Sequence, residues 1–531
     1  MADGTQGVGV APHRGQMVGG MWVEAFGDCL MIYKTQKMIK EKINAFVPKS
    51  VWERKSSGIL AMGFVVAVLL TLALVNPSEV TIRHVFESMC VGFRTPVILF
   101  CYLTLAVLIF LCCSRYGNIR LGGEQAKPEY SNFSWLSCLF MAGCGIGIVY
   151  YSQEPVMLLH ANPYDGRVWG DATGVAYSLS LYNWTINNWS QFALLGVVMA
   201  YFHYNCGKDL RLSSVLPGKT PLWVRRMMDI ALALGVIAGL TTSLGFGSIQ
   251  LSKGFEHVFE SDISIYVLMF FMGVIALVYV IAALQKGMKW LSQITTTLVA
   301  VMLLSVVCIG VFRHQIYGFL GYIGKGTGLL LANYTQYNDF YNATSSEWAA
   351  DKFVFNNLWF SAWAVFVAVF MAKISKGRTI RQFIFGAVGF PILFTIIWFG
   401  IFGCVGREFS DVLSEGMSGD LPLGLFQFFQ TVTTNGYYVL LSALVMLIII
   451  LFFITSSDTG AYVMANLLSC EKFVSSRDKI FWATVQCLVT MALFALGGLA
   501  LIETAVVIMG IVAMAMMCIG TYCFLKKILK V

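Results

Sequence analysis

Charged residues are scarce in this sequence. Only 12% of its 531 residues are Asp, Glu, Lys or Arg, whereas 58% are hydrophobic. Soluble globular chains carry about 25% charged residues. A water-soluble fold of this length is therefore excluded, because it would lack the polar surface needed to face water.

Patterns typical of enzymes, metal sites and channels are also missing. Most of the 14 Cys lie within apolar stretches, where they act as small hydrophobic residues and form no disulfide or metal framework. The six His fall in loops or at helix ends, with no nucleophile or metal ligand set beside them. No ring of charges or pore loop indicates a channel. We therefore expect neither an enzyme nor a cofactor.

Long apolar blocks dominate the chain instead. A helix needs roughly 20 apolar residues to cross the hydrocarbon core, whereas barrel strands are short and alternating. We predict an all-α membrane protein with twelve transmembrane helices. The predicted spans are Gly58–Val75, Val97–Cys113, Trp135–Leu159, Tyr177–Phe202, Met227–Leu251, Ile263–Leu284, Thr295–Phe312, Phe353–Ile374, Ile380–Val405, Val439–Met464, Ile480–Ile502 and Ala505–Leu525.

The basic residues predict the orientation of these spans. If the N-terminus is cytoplasmic, the inner segments carry 27 Lys and Arg and the outer loops carry 8. Loops rich in Lys and Arg stay on the cytoplasmic side. We therefore expect a multi-pass protein of the plasma membrane with both termini in the cytoplasm. The net charge of +8 has the same origin, so we predict contact with membrane lipids and no nucleic-acid partner.

Predicted span 3 contains three glycines at alternate positions, Gly143, Gly145 and Gly147, followed by Glu154 and Pro155. Glycine is a poor helix former. One interpretation is close helix packing, for which Gly143 and Gly147 have the i, i+4 spacing. The other is a local break whose free backbone groups face a substrate or ion. We favour the break, because successive alternate glycines point to different faces.

Predicted span 4 places two tryptophans well inside the membrane. At 100° per residue, Trp184, Asn188, Phe192 and Trp189 share one arc of a helix. Tryptophan belts mark the membrane interface, but they lie at helix ends. Polar side chains at this depth normally face a cavity or the bundle interior. The pattern therefore predicts an internal face.

Predicted span 8 carries a second aromatic face. Trp359, Trp363, Phe366 and Phe370 fall within about 60° of each other, and Phe360 lies off that stripe. A lone stripe is ordinarily a core or lipid-facing surface. Two such faces together with a glycine break favour an aromatic box for a cation that cannot donate hydrogen bonds. A quaternary ammonium fits, because cation–π contact is the main directional attraction available to it.

Predicted span 10 ends in a polar run that contains Thr455, Ser456 and Asp458. The paired hydroxyls could ligate a hard cation such as Na⁺, together with backbone oxygens from the break in span 3. The ordinary alternative is that the hydroxyls bond back to their own helix. Asp458 is more easily explained as a cap or packing partner than as an ion ligand.

Five segments in order resemble the betaine/choline/carnitine transporter family, over most of the chain. They are Gly143–Gly147 with Glu154 and Pro155, the pattern of Trp184, Trp189 and Phe192, Thr242–Gly247, Trp359–Trp363 with Ala372–Arg381, and Thr455–Gly460. No single segment is decisive, but five in this order on a twelve-span chain are highly specific. The chain is on this basis identified as a member of that family.

The resemblance implies a LeuT-like fold of two inverted five-helix repeats with two extra N-terminal helices. The repeats would comprise residues 133–312 and 353–527, within a transporter domain of residues 56–527. Residues 1–55 would be a cytoplasmic segment and residues 313–352 an extracellular loop that connects helices 7 and 8. Family members are commonly trimers that work by alternating access, so a homotrimer is implied as well.

The resemblance also implies the binding residues. The ammonium of a solute such as betaine, choline or carnitine would lie in a cage of Trp184, Trp189, Phe192 and Phe360. The further substrate residues would be Gly143, Cys144 and Gly145 of the glycine stretch and Trp359, Trp363 and Phe370 of span 8. Sodium, where the family uses it, would lie near Met141, Cys144, Phe452, Thr455 and Ser456.

Departures from the family pattern leave the substrate and the coupling open. Phe360 stands where Trp is usual, and Cys144 stands where Met is common. Sodium symport is the first expectation. The alternatives are a Na⁺-independent or proton-coupled exchanger of the same solutes, and a transporter of amino acids with the same fold. The aromatic faces argue against amino acids, whose primary ammonium needs hydrogen-bond partners.

Overall fold

A computed structural model describes residues 57–161, 171–282, 287–338, 349–417, 420–434, 436–469 and 474–529. The segment predicted for residues 1–55 lies outside these ranges. Within them the secondary structure is helical, and extended pairing is limited to one bridge between Arg120 and Thr379. The predicted all-α class is confirmed.

The α-helices of the described residues are numbered here in chain order. They are α1 (Gly58–Val75), α2 (Glu79–Cys113), α3 (Asn132–Gly143), α4 (Ile146–Tyr150), α5 (Glu154–Ala161), α6 (Ala172–Trp184), α7 (Ile186–Cys206), α8 (Leu222–Phe259), α9 (Ile265–Ala282), α10 (Gly287–Phe312), α11 (Phe319–Asn333), α12 (Phe355–Ile374), α13 (Ile380–Ile384), α14 (Phe390–Gly406), α15 (Ser410–Met417), α16 (Leu421–Val432), α17 (Tyr437–Leu468) and α18 (Ser476–Ile528).

Eight helical stretches in the described ranges are long and apolar enough to cross a membrane, and a shorter apolar helix covers Ile265–Ile281. The number differs from twelve for simple reasons. Predicted span 3 is broken into shorter helices. Span 4 is broken into α6 and α7, and α7 has 21 residues but includes polar side chains such as Asn187, Asn188 and Gln191. Span 6 is the shorter helix, and spans 11 and 12 run together in α18. The twelve-span count therefore stays a prediction.

The predicted boundary between spans 11 and 12, at residues 503–504, is wrong. The non-helical residues within α18 are Gly497 and Gly498, and Gly498 has φ 61° and ψ −153°. Glycine adopts a positive φ without the steric penalty of a Cβ. Glu503, at the predicted boundary, lies in the helix beyond the break and forms an ion pair with Arg83 at 3.1 Å.

Helix α12 lies at the centre of the bundle. It packs against α7, α8 and α18, and every residue from Phe355 to Val369 is buried. The lipid-facing interpretation of its aromatic stripe is thereby excluded. Helices such as α1 and α9 instead expose large apolar side chains, for example Leu74 and Phe270, as expected of surfaces that face lipid.

Helices α3 and α12 are joined at the end that the charge pattern places in the cytoplasm. Trp135 of α3 donates from Nε1 to Oγ of Ser375, which directly follows α12, at 2.9 Å. The guanidinium of Arg378 lies over the Trp135 ring at 4.5 Å from its centroid. Arg378 also donates to the carbonyl of Tyr130 at 2.8 Å. These contacts fix the start of α3 against α12, and the two helices form the site described next.

Candidate substrate site

The backbone of predicted span 3 is interrupted in the middle of the membrane block. Helix α3 begins at Asn132, is capped by Ser131, whose hydroxyl accepts from the backbone N–H of Ser134, and ends at Gly143. Cys144 and Gly145 are extended, and α4 begins at Ile146. The break favoured from the sequence is confirmed.

The glycines around this break each make room for at least one tryptophan ring. A Cβ would lie 2.5 Å from Trp189 at Gly143, 2.3 Å from Trp363 at Gly145 and 2.6 Å from Trp359 at Gly147. Real Cβ atoms essentially never approach a neighbour closer than 3.0 Å. The glycines therefore bring the backbone against aromatic side chains from α7 and α12, a close approach of ring to backbone that the helix-packing interpretation did not include.

A second break divides predicted span 4 at Thr185, which has φ −114° and ψ −103°. The carbonyl of Asn183, just before the break, accepts from the side-chain amides of Asn188 and Asn356, the latter at 2.6 Å. The internal face predicted for these residues is confirmed, since Trp184, Asn188, Trp189 and Phe192 are all buried. Their single arc is not, because the helix is interrupted at Thr185, between Trp184 and the other three residues, and Asn188 caps this break.

The two breaks and α12 enclose a cavity, called here the central cavity. Its lining residues are Gly143, Cys144, Gly145, Gly147, Ile148, Trp184, Trp189, Trp359, Phe360, Trp363 and Thr395. Eight of the ten predicted substrate residues are among them. Phe192 lies behind the wall, stacked on Phe360 with a centroid distance of 5.2 Å. Phe370 lines a different cavity.

Three of the four tryptophans that line the central cavity donate their N–H groups to acceptors that do not line it. Trp184 donates to Oε2 of Glu154, Trp359 donates to Oγ1 of Thr242, and Trp363 donates to the carbonyl of Gly239, each at 2.7 Å. Buried indole N–H groups need such acceptors. None of the lining residues is charged, so what the cavity mainly offers a ligand is π surface.

A second cavity, called here the inner cavity, lies on the side of the break toward Cys138. It is lined by Cys138, Met141, Ser292, Phe366, Phe370, Thr455, Ser456 and Thr459. Three of the five predicted sodium residues are therefore together, and Cys144 and Phe452 do not line this cavity. The Thr455 hydroxyl donates to the carbonyl of Phe452 at 2.9 Å, the back-bonding that was the ordinary alternative. Asp458 accepts from Lys479 at 2.8 Å, which confirms its interpretation as a packing partner.

A third cavity, called here the outer cavity, lies on the opposite side of the central one. Its lining residues are Tyr151, Glu154, Asn183, Trp184, Lys352, Phe355, Asn356 and Trp359. Trp184 and Trp359 belong to both cavities, so their rings form the wall between them. Glu154 is 5% exposed, and its carboxylate contacts the Trp184 side of this wall from the outer cavity.

The three cavities follow one another along the same two elements. Residues 352–359, 359–363 and 366–370 contribute in turn to the outer, central and inner cavities, while residues 138–141, 143–148 and 151–154 follow in the opposite order. From Lys352 to Phe370 the helical rise amounts to about 27 Å. This is close to the roughly 30 Å thickness of a hydrocarbon core. The row of three cavities, called here the column, is therefore long enough to be a path across it.

Sequence reasoning missed several members of the site. Gly147, Ile148 and Thr395 line the central cavity, and Glu154 was noted only as part of a motif. An acidic residue within an apolar span is itself a signal of function, so Glu154 could have been singled out. Thr395 is a lone hydroxyl in an apolar helix, and nothing in its pattern distinguishes it.

A helical membrane bundle with a cavity at two helix breaks is the arrangement of a secondary transporter. Residues 57–530 match the sequence profile described as BCCT, betaine/carnitine/choline family transporter. The chain belongs to this family, as its motifs predicted, and it is a membrane transporter rather than an enzyme.

Curated relatives cover most of the chain. It is 30% identical over 468 residues to a glycine betaine/proline/choline/ectoine transporter of Vibrio parahaemolyticus, which covers 83% of this chain and 80% of that protein. It is 28% identical over 494 residues to a probable glycine betaine transporter of Desulfitobacterium hafniense, covering 90% and 98%. Among solved structures, a Na⁺-coupled sialic acid symporter aligns with a TM-score of 0.43 and 12% identity, over 82% of this chain and 87% of that one. A likeness at that level carries no inference.

Proposed function

We propose that this protein is a secondary transporter of a quaternary-ammonium or related onium solute, such as betaine, choline or carnitine. The observation that carries the proposal is the central cavity, which is walled by four tryptophans and Phe360. Three of the indole N–H groups are turned away from it to acceptors behind. Relatives named as transporters of glycine betaine and choline support the same solute class.

The chemistry of the wall favours an onium cation over an amino acid. Each cation–π contact is worth about 0.5–2 kcal/mol, more when the cation is desolvated. A methylated ammonium loses few hydrogen bonds on leaving water, so aromatic faces suffice to hold it. A primary ammonium would bring three donors. The side-chain oxygen in the lining is that of Thr395, whose hydroxyl donates to the carbonyl of Pro391 at 2.9 Å. Its two lone pairs can accept from at most two of the three donors, so the lining side chains would leave an ammonium N–H unpaired.

Sodium is the proposed coupling ion, and the inner cavity is its proposed site. Met141, Thr455 and Ser456 meet there with Ser292 and Thr459, and hydroxyl oxygens suit a hard cation. The back-bonding of Thr455 does not oppose this role. A hydroxyl has one donor hydrogen and two acceptor lone pairs, so Thr455 can donate to Phe452 and still ligate an ion.

Alternating access is the proposed mechanism, along the column of three cavities. Solute would enter at the outer cavity, bind in the central one and leave past Phe366 and Phe370. The proposed architecture is twelve helices with inverted repeats at residues 133–312 and 353–527, both termini in the cytoplasm, and a homotrimer. The first proposed repeat begins with the broken segment α3–α5, and the second begins with the buried helix α12. Each of these two segments contributes residues to all three cavities.

The test is uptake of radiolabelled glycine betaine, choline, carnitine and proline into proteoliposomes, with and without an inward Na⁺ gradient. We expect saturable uptake of at least one methylated onium, lowered at least about tenfold by Trp189→Ala, because one ring contact of roughly 1–2 kcal/mol is lost together with packing. The matched control is Trp223→Ala. Trp223 is 68% exposed and lies outside the cavity.

Each outcome has a definite meaning. Onium uptake that survives Trp189→Ala would reject the central cavity as the binding site. Uptake of proline alone would favour the amino-acid alternative. Uptake independent of Na⁺ would leave the solute proposal intact and reject sodium as the coupling ion.

A further inference from the structure

We propose that Glu154 is a positioning residue that fixes the ring of Trp184 as the wall of the onium site. This inference rests on the proposed function. It concerns a carboxylate that lies outside the central cavity and that would affect solute binding indirectly, by holding the Trp184 ring in place.

Both carboxylate oxygens of Glu154 are engaged. Oε2 accepts from Nε1 of Trp184 at 2.7 Å, and Oε1 accepts from Nδ2 of Asn183 at 2.8 Å. The two donors are consecutive residues at the end of α6, immediately before the break at Thr185. A hydrogen bond to a carboxylate is shorter and roughly twice as strong as one between neutral groups. Glu154 therefore holds the last turn of α6 through the side chains of Asn183 and Trp184.

Trp184 needs this anchor more than the two cavity tryptophans of α12 do. Trp359 and Trp363 lie within the continuous helix α12, and their N–H groups have neutral acceptors on α8. Trp184 lies at a helix end, and the chain after it departs from helical geometry. Its backbone is therefore less constrained, and a charged acceptor on α5 compensates for the missing helical turn.

The position of the Trp184 ring decides two properties of the site. The ring forms edge-to-face contacts with Trp359 and Phe360, at centroid distances of 6.0 and 5.9 Å. It is also a wall shared by the central and outer cavities. A ring released from Glu154 would weaken the box and would open it toward the outer cavity. Glu154 thereby links the broken segment of span 3 to the wall supplied by span 4.

The central experiment is a double-mutant cycle between Glu154→Gln and Trp184→Phe. Glutamine keeps the size of the side chain, but it presents an NH₂ group to one of the two donors. Phenylalanine keeps a π face and removes the N–H. We expect Glu154→Gln to raise the KM for onium uptake about tenfold with Vmax changed less than about threefold, since a lost charge-assisted bond to a buried group is of this order. In the Trp184→Phe background, the same change should raise KM less than about threefold.

The matched control is Thr242→Val, which removes the acceptor of Trp359 within a continuous helix. We expect it to raise KM less than Glu154→Gln does. Equal effects of Glu154→Gln in the wild-type and Trp184→Phe backgrounds would overturn the inference, because Glu154 would then act by its charge or through the fold. If Glu154→Gln does not fold, Glu154→Asp retains the acceptor on a shorter side chain and should give an intermediate KM.

A second readout needs no substrate, so it separates failure of this inference from failure of the proposed function. The fluorescence emission of Trp184 is obtained by subtracting the spectrum of Trp184→Phe from that of the protein with Trp184. This is done once with Glu and once with Gln at position 154, and the acrylamide quenching of the two difference spectra is compared. We expect at least about twofold stronger quenching of this component in the Gln variant. Unchanged quenching would reject the positioning role even if onium uptake is found. Changed quenching without onium uptake would support the role and reject the solute.

Discussion

The ring of Trp363 occupies the space that a side chain at Gly145 would need. A Cβ at residue 145 would lie 2.3 Å from Cη2 of that ring. On its other side the ring meets Gly239, where a Cβ would lie 2.6 Å from Cδ1, and Nε1 donates to the Gly239 carbonyl at 2.7 Å. The ring is thus enclosed by backbone from α8 and from the break in span 3, and it has little freedom to move.

We predict that Gly145→Ala damages the central cavity while the protein still folds. The added methyl must displace Trp363, and overpacking of this kind costs about 1–3 kcal/mol. Onium affinity should fall roughly tenfold to a hundredfold, measured by equilibrium binding to purified protein. Gly328→Ala is the control, since a Cβ at residue 328 would meet nothing within 4 Å. Wild-type affinity in Gly145→Ala would show that Trp363 can shift without loss.

The break at Thr185 should tolerate loss of either capping amide better than loss of both. Asn188 and Asn356 donate to the same carbonyl, that of Asn183. One remaining donor still satisfies this carbonyl. Loss of both donors leaves a buried acceptor unpaired, which costs about 1–3 kcal/mol of stability. We expect Asn188→Ala and Asn356→Ala to lower thermal stability mildly and the double variant to lower it by more than their sum.

The control for this cycle is Asn466→Ala, which removes one donor to a backbone carbonyl, that of Leu210 at 3.0 Å. Combined with either single variant, it should be additive, because it shares no partner with them. Strict additivity of the Asn188 and Asn356 changes would contradict shared capping.

Sodium dependence should follow the hydroxyl of Thr455. We expect Thr455→Val to raise the Na⁺ concentration for half-maximal uptake about tenfold, since one charge–dipole ligand is lost. Thr504→Val is the matched control. Thr504 is equally buried, and its hydroxyl donates to the carbonyl of Ala500 at 2.7 Å in α18. An unchanged Na⁺ response in Thr455→Val would remove the inner cavity from the proposal.

The ion pair of Asp458 and Lys479 should stabilise the protein without contributing to ion coupling. Their side chains are 9% and 20% exposed, so breaking the pair leaves a poorly hydrated charge. We expect Asp458→Asn to lower the free energy of unfolding by about 1–3 kcal/mol with an unchanged Na⁺ response. Asp420→Asn, which breaks a more exposed pair with Lys253, should cost under about 1 kcal/mol. A shifted Na⁺ response in Asp458→Asn would make Asp458 part of the ion site.

Several features could be predicted because they depend on local composition. The all-helical class followed from apolar blocks of membrane length, and the break in span 3 followed from three alternate glycines. The aromatic residues of spans 4 and 8 were selected by their number and depth. These signals lie in neighbouring residues, and the bilayer makes them strong, because every backbone group must be satisfied within its own segment.

Other features depended on contacts that no local pattern contains. The break at Thr185 has no glycine or proline to indicate it, and its caps come from residues 188 and 356. The boundary at Gly497 and Gly498 did have a local signal, since paired glycines mark a break, but apolar residues continue on both sides and the pair was overlooked. The helical arithmetic that put Trp184 on one arc with Asn188 failed because it assumed a continuous helix through Thr185.

By itself, the sequence determined that this chain is a helical membrane protein with the motifs of a betaine/carnitine/choline family transporter, because hydrophobic length and residue type are local properties. Only the tertiary structure decided which aromatic residues share a cavity, that Phe192 lies behind Phe360, and that Glu154 holds Trp184. Those relationships join segments 30 to more than 200 residues apart, as does the packing of the Trp363 ring against Gly145 and Gly239. A ring can pack between two helices only after both are in place.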